Sequence, residues 1–343
     1  MTPCEPPCAP PGPGRVLLGN NENAYGAPPS VIAAMQRVIL DSHRYQFSLY
    51  RCFVGAIAAR HKVARDRVIG GAGSTELLYM AASAFTGPGR SLVMGCPTFE
   101  VIGQHAEVCG ARVVRVPLTC DFRHDTEAML AQVDASTGLV YLCNPNNPTG
   151  SLTPRRELDA LIARLPRDVH VLVDEAYHDF VDSPDYASYL DRPVAHERLI
   201  VLRTFSKTFG MAGLRLGYAV GPRRAIARLH AQRVQRSMSA VALAGALAGL
   251  GDAPALAAVV ERNAGDRATF LREAGRRGIR CIPSHTNFVM IDTGRPVQAV
   301  VAHFAAHGIT VGRPFPPLDT HLRVSLGRPD EMQLFWSVWD RLP

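Results

Sequence analysis

Four short polar segments, each bordering an apolar run, carry the residues that could do chemistry in this 343-residue chain. The first, Gly70-Gly71-Ala72-Gly73-Ser74-Thr75-Glu76, sets glycines and hydroxyls at the start of a helical pattern, where free backbone N–H groups would meet an anion. A capped turn without a ligand reads the same way, and neither the P-loop nor the dinucleotide spacing is present. The second, Asn144-Pro145-Asn146-Asn147-Pro148-Thr149-Gly150, has the composition of a turn. The third, Val171-Leu172-Val173-Asp174-Glu175-Ala176-Tyr177, ends an apolar strand on a carboxylate, and a buried aspartate needs a cationic partner on a ligand or an arginine. The fourth, Thr204-Phe205-Ser206-Lys207-Thr208-Phe209-Gly210-Met211-Ala212-Gly213-Leu214-Arg215, places a lysine among small and apolar residues. Desolvation there would lower the amine's pKa and make it a nucleophile toward a carbonyl; a lysine reaching out to solvent is the bland alternative.

Amines are scarce. Lys62 and Lys207 are the only lysines, so 35 of the 37 basic residues are arginines that stay protonated and bind anions rather than attack carbonyls. Lys62, in Arg60-His61-Lys62-Val63, sits at an amphipathic helix end where a solvated amine is ordinary. The formal charge of +7 is scattered without a like-charge run, which argues against nucleic-acid binding. The apolar stretch 238–251 is shorter than the ~20 residues a bilayer requires and reads as a buried helix. Residues 1–14 lack the order of a signal or transit peptide, so a cytoplasmic location is expected. The eight cysteines read as reduced thiols, and Cys4-Glu-Pro-Pro-Cys8 lacks further ligands for a metal, so none is expected.

The elements that must position these groups follow from the apolar runs. Segments 91–94, 111–116, 139–143, 169–173, 199–202 and 216–220 read as strands, with helical patterns such as 76–85, 127–133 and 154–165 between most of them. Near-continuous apolar strands alternating with helices predict an α/β fold, a mostly parallel central sheet sandwiched by helices, with ligands at the carboxyl ends of the strands. After residue 220 the pattern turns to long helices, 222–250 with a break near 237 and 253–277. Strands at 280–282, 287–291 and 321–325 then predict a smaller α+β domain. The expected division is a flexible tail 1–15, an arm 16–44 joining the small domain, a large domain 45–237 and a small domain 238–343.

Together the four segments resemble the class I/II aminotransferases of fold type I, which bind pyridoxal 5′-phosphate (PLP), and are most similar to histidinol-phosphate aminotransferases. The resemblance spans about residues 17–342 and includes Gly19-Asn20-Asn21-Glu22-Asn23-Ala24-Tyr25-Gly26, similar to that family's NENPYG segment. It implies that Lys207 holds PLP as an internal aldimine and shuttles the proton between Cα and C4′, that Asp174 pairs with the pyridinium nitrogen, and that Asn147 and Tyr177 hydrogen-bond the ring O3′. It further implies that Ser74, Thr75, Ser206 and Arg215 hold the cofactor phosphate and that Phe99 stacks on the ring. Tyr45 would reach the phosphate of a neighbouring subunit in a homodimer with shared active sites. Arg323, in His321-Leu322-Arg323-Val324-Ser325, would grip a substrate carboxylate or its equivalent, Arg313 would help with a substrate phosphate, and Asn23 and Tyr25 would line the substrate side.

The implied reaction is ping-pong transfer of an amino group from an amino acid or histidinol phosphate to a 2-oxo acid. Ala24 for the family's proline, Phe99 for tyrosine and Gln46 for proline are departures on the substrate or dimer side, and 313–318 resembles a specialised loop. A related PLP decarboxylase, cyclase or oxidase, and a non-catalytic PLP-binding protein, are the alternatives.

Overall fold

The computed structural model describes residues 15–191 and 197–343. The expected tail, Arg15 apart, and the Cys4/Cys8 pair lie outside the described residues. Among the described residues twelve strands run in chain order: β1 (Val16–Leu18), β2 (Val68–Gly71), β3 (Ser91–Cys96), β4 (Val113–Pro117), β5 (Thr137–Cys143), β6 (His170–Asp174), β7 (Leu199–Thr204), β8 (Gly217–Val220), β9 (Arg280–Cys281), β10 (Phe288–Asp292), β11 (Ile309–Val311) and β12 (His321–Ser325). Seven of them form the central sheet in the order β2-β8-β7-β6-β5-β3-β4. Its ladders are parallel except those of β8, which runs against both β2 and β7. The carboxyl ends of β2, β3, β5, β6 and β7 therefore share one edge, and β8 brings its amino end to that edge, carrying Arg215 with it.

Alternation along the strands fills two apolar layers. Val93, Val140, Val171, Val173 and Val201 face one, with Phe53, Leu158, Leu161 and Ile162 from helices. Leu92, Leu139, Leu172 and Ile200 face the other, with Leu77, Ala81, Ile102 and Leu229. Both faces are covered, which is why these strands read as unbroken apolar runs.

A second core surrounds the antiparallel sheet β12-β10-β9 and the parallel pair β1-β11, built on Phe270, Phe304, Phe335 and Trp336. The arm thus joins the smaller unit through β1, but its helix Pro29–Ile39 lies against the helix Ala240–Gly251, and Val31, Ala242, Leu243 and Ala246 all belong to the large-sheet core. We therefore propose a boundary near Asp252 rather than at 238. The segment 222–250 resolves into helices Arg223–Gln232 and Ala240–Gly251. Among the described residues no single helix is long and apolar enough to cross a membrane.

Candidate active site

Lys207 follows β7 and is half-buried. Its Nζ donates to the carbonyl oxygens of Asn21 at 2.9 Å and Asn20 at 3.4 Å, in the arm that crosses over it. Burial lowers the amine to about 7; Arg323 and Arg215 add to the effect, while Glu22 and Asp174 oppose it. The loop is anchored from behind, where the Thr208 hydroxyl donates to Asp179 at 2.7 Å. Gly210 is at φ +64, with Gly26 packed so closely that any Cβ would strike the arm's backbone.

Asp174, at the carboxyl end of β6, is 2% exposed. It accepts from the Tyr141 hydroxyl at 3.1 Å and from the Ala176 N–H at 3.1 Å, and it forms no ion pair among the described residues. Burial raises its carboxyl to about 6. This is the buried carboxylate that calls for a cationic ligand group.

Next to it, Tyr177 is buried and accepts from Asn21 Nδ2 at 3.0 Å and, at 3.5 Å, from Asn147 Nδ2; burial drives its phenol upward. Asn147 also accepts from Arg323 Nη1 at 2.6 Å. Arg323 reaches the site from β12, with Nη2 donating to Gly19 O at 2.7 Å and Nε buried without a partner. It is 8% exposed and, among the described residues, has no carboxylate; burial lowers its guanidinium to about 10. A buried cation without an acid is a site awaiting an anion.

A second anion position lies at the helix Gly73–Phe85. Ser74 and Thr75 occupy its first turn, and Gly73, at φ +78, sits so near Arg215 that a Cβ would collide with the guanidinium. Arg215 is itself left-handed at φ 54, donates to Ala212 O at 2.8 Å and has no ion pair among the described residues. Gly217 abuts the Ser74 backbone and pairs with Thr204, whose hydroxyl donates to Ser206 at 2.9 Å, so Ser206 joins the same strand-end cluster. Phe99 follows β3, half-buried against the layer containing Tyr141.

Three expected residues have other partners. Tyr25 bonds Asp266 at 3.1 Å and lies under Arg262, so it ties the arm to the helix Ala253–Arg276. Arg313 is exposed and paired with Glu100. Tyr45 is 72% exposed, stacks on Phe47 and is not brought to the site within one chain. Asn23 lines a cleft of about 370 Å³ between the arm and the Lys207 loop, its Nδ2 buried and without a partner.

Asn21 was missed by sequence reasoning. It is 1% exposed, at φ 55, and joins Ser325, Tyr177, Lys207 and Asn287. Tyr141 was missed because a tyrosine inside an apolar strand reads as core. Among the described residues no cluster of three or more His, Cys, Asp or Glu could hold a metal ion.

The family model for aminotransferase class I and II matches residues 13–335. The chain belongs to the class I and II aminotransferases. A histidinol-phosphate aminotransferase of Geobacillus thermodenitrificans is 34% identical over 318 residues, covering 92% of this chain and 87% of that protein. Histidinol-phosphate aminotransferase 2 of Methylococcus capsulatus is 36% identical over 334 residues, covering 95% and 90%. The crystal structure of histidinol-phosphate aminotransferase from Sinorhizobium meliloti in complex with pyridoxal 5′-phosphate superposes with a TM-score of 0.87 at 29% identity, covering 94% of this chain and 89% of that one. This aminotransferase has the fold type I architecture and depends on PLP. Its own residues fit that cofactor: an amine held near neutrality, an unpaired buried carboxylate, and a helix start with an unpaired arginine.

Proposed function

We propose that this aminotransferase moves an amino group from a donor bearing an anionic group, held by Arg323, to a 2-oxo acid in two half-reactions of ping-pong order. The observation that carries this reading is Arg323: buried, without an acid among the described residues, and bonded to Asn147 beside Tyr177. Bound PLP supplies an electron sink for the carbanion formed at the donor's Cα. Lys207 would carry the cofactor and, with its amine lowered to about 7, would take the donor's Cα proton and return it on the far side of the intervening nitrogen. Asp174 would hold the proton on the ring nitrogen, and Asn147 and Tyr177 would hydrogen-bond the ring oxygen. Ser74, Thr75, Ser206 and Arg215 would hold the phosphate, and Phe99 would cover the ring.

The names of the relatives put histidinol phosphate first among donors, and an amino acid carboxylate satisfies Arg323 equally. The partner class is then a small amino donor and a 2-oxo acid. We further propose a cytoplasmic homodimer. Leu40, Ile39, Tyr45 and Phe47 form an exposed apolar group with Arg236 over both rings, a face that a second copy would cover while delivering Tyr45 to the other site.

The test is single-turnover conversion. PLP-loaded enzyme given L-histidinol phosphate or L-histidine without an acceptor should form pyridoxamine 5′-phosphate, and a 2-oxo acid should restore PLP. Release of CO₂ from the amino acid would replace transamination by decarboxylation, and no change with any donor would overturn the reading.

A further inference from the structure

Arg313 and Glu100 lie 213 residues apart in the chain and form an ion pair. Glu100 directly follows Phe99 and stands at the N-cap position of the helix Val101–Val108, its side chain free of any capping hydrogen bond and turned to Arg313. Arg313 follows β11 in the smaller unit; its guanidinium lies 4.4 Å from the Phe315 ring centre, and Arg323 lies 4.6 Å from the same centre. Two guanidiniums sharing one ring form a single electrostatic neighbourhood, and Arg313 accordingly works against the charge on Arg323.

Counting charge across this neighbourhood gives two positive groups and one negative. A donor carboxylate, at −1, leaves Arg313 with Glu100 and takes Arg323. A phosphomonoester, near −2 at pH 7, is overcompensated: it must displace Glu100 or sit close to it. Discrimination between partners regularly rests on such a repulsive group.

We propose that Glu100 is a specificity-determining residue that, by occupying Arg313, favours donors anchored by a carboxylate over donors anchored by a phosphate dianion. This rests on the anion-donor reading of Arg323 and deepens it. Both partners are about half exposed, so the effect is that of a screened pair.

Glu100→Gln keeps the shape and removes the charge. In the PLP-loaded enzyme, Kd and kcat/KM are measured for L-histidinol phosphate and for L-histidine. The preference for the phosphate donor should rise by about 2–5-fold. The gain should shrink near 1 M salt, where the screening length falls to about 3 Å. It should be absent when the same change is made in Arg313→Gln, since Glu100 then has no arginine to withhold. An unchanged or reversed preference, or a gain indifferent to salt, overturns the proposal. If neither protein transfers an amino group, the transamination reading fails, while the ratio of Kd values still decides the role of Glu100.

Discussion

Replacing Asp174 by asparagine separates the cost of the empty site from its use. The carboxyl rises from 3.8 to about 6 on folding. A shift of roughly two units, at about 1.4 kcal/mol each, means that the ionised form costs the apo protein roughly 3 kcal/mol. A raised pKa stabilises the fold below pH about 4, and that contribution is lost as pH climbs through 6. At pH 7.5 the apo Asp174→Asn protein should therefore be the more stable by about 3 kcal/mol, a few degrees in melting temperature for a chain of this length. Near pH 5 the advantage should fall to about half, because much of the wild-type carboxyl is protonated there. Saturating PLP should reverse the order, since only the wild type offers a charge to the ring nitrogen. Thermal melts at both pH values, with and without PLP, decide the matter. An apo variant less stable than the wild type at pH 7.5, with an unchanged response to PLP, would refute the assignment of Asp174 as a carboxylate held in waiting.

Arg323→Gln should lower kcat/KM for an anionic donor by about 10–100-fold, the range for losing a charge-assisted contact, with little change for a neutral amine measured in parallel. The rate at which apoenzyme captures PLP should rise with pH through about 7 and then level off, as the Lys207 amine loses its proton, and stopped-flow absorbance would follow it. Arg203→Met leaves Glu175 buried without its partner, the two being 3.0 Å apart and nearly inaccessible. Urea melts should show a loss of about 3–5 kcal/mol.

The central sheet was legible because both of its faces are covered, so Leu139 through Cys143 and Val171 through Val173 stand out as apolar runs closed by Asn144 and Asp174. Strands β1, β2 and β11 were not: three or four residues are too few to establish a period, and β2 ends in Gly70-Gly71, which reads as a loop. The residues at the strand ends were singled out by type and place. What stayed hidden depends on contacts distant in sequence: Asn21 meets Ser325 across 304 positions, and Glu100 meets Arg313 across 213. Likewise, the helix Ala240–Gly251 is apolar whichever unit it packs on, and its contacts with Pro29–Ile39 and Phe47–Arg60 put it with the large core.

The chain's two lysines allow the most direct test of the account. Holoenzyme reduced with borohydride, which makes a lysine–pyridoxyl bond permanent, is digested and its peptides weighed. The phosphopyridoxyl mass should appear on the peptide containing Lys207, leave Lys62 unmodified, and vanish when the enzyme is first treated with an amino donor. Label on Lys62, or a Lys207 peptide of unaltered mass in a protein that has retained PLP, would contradict it.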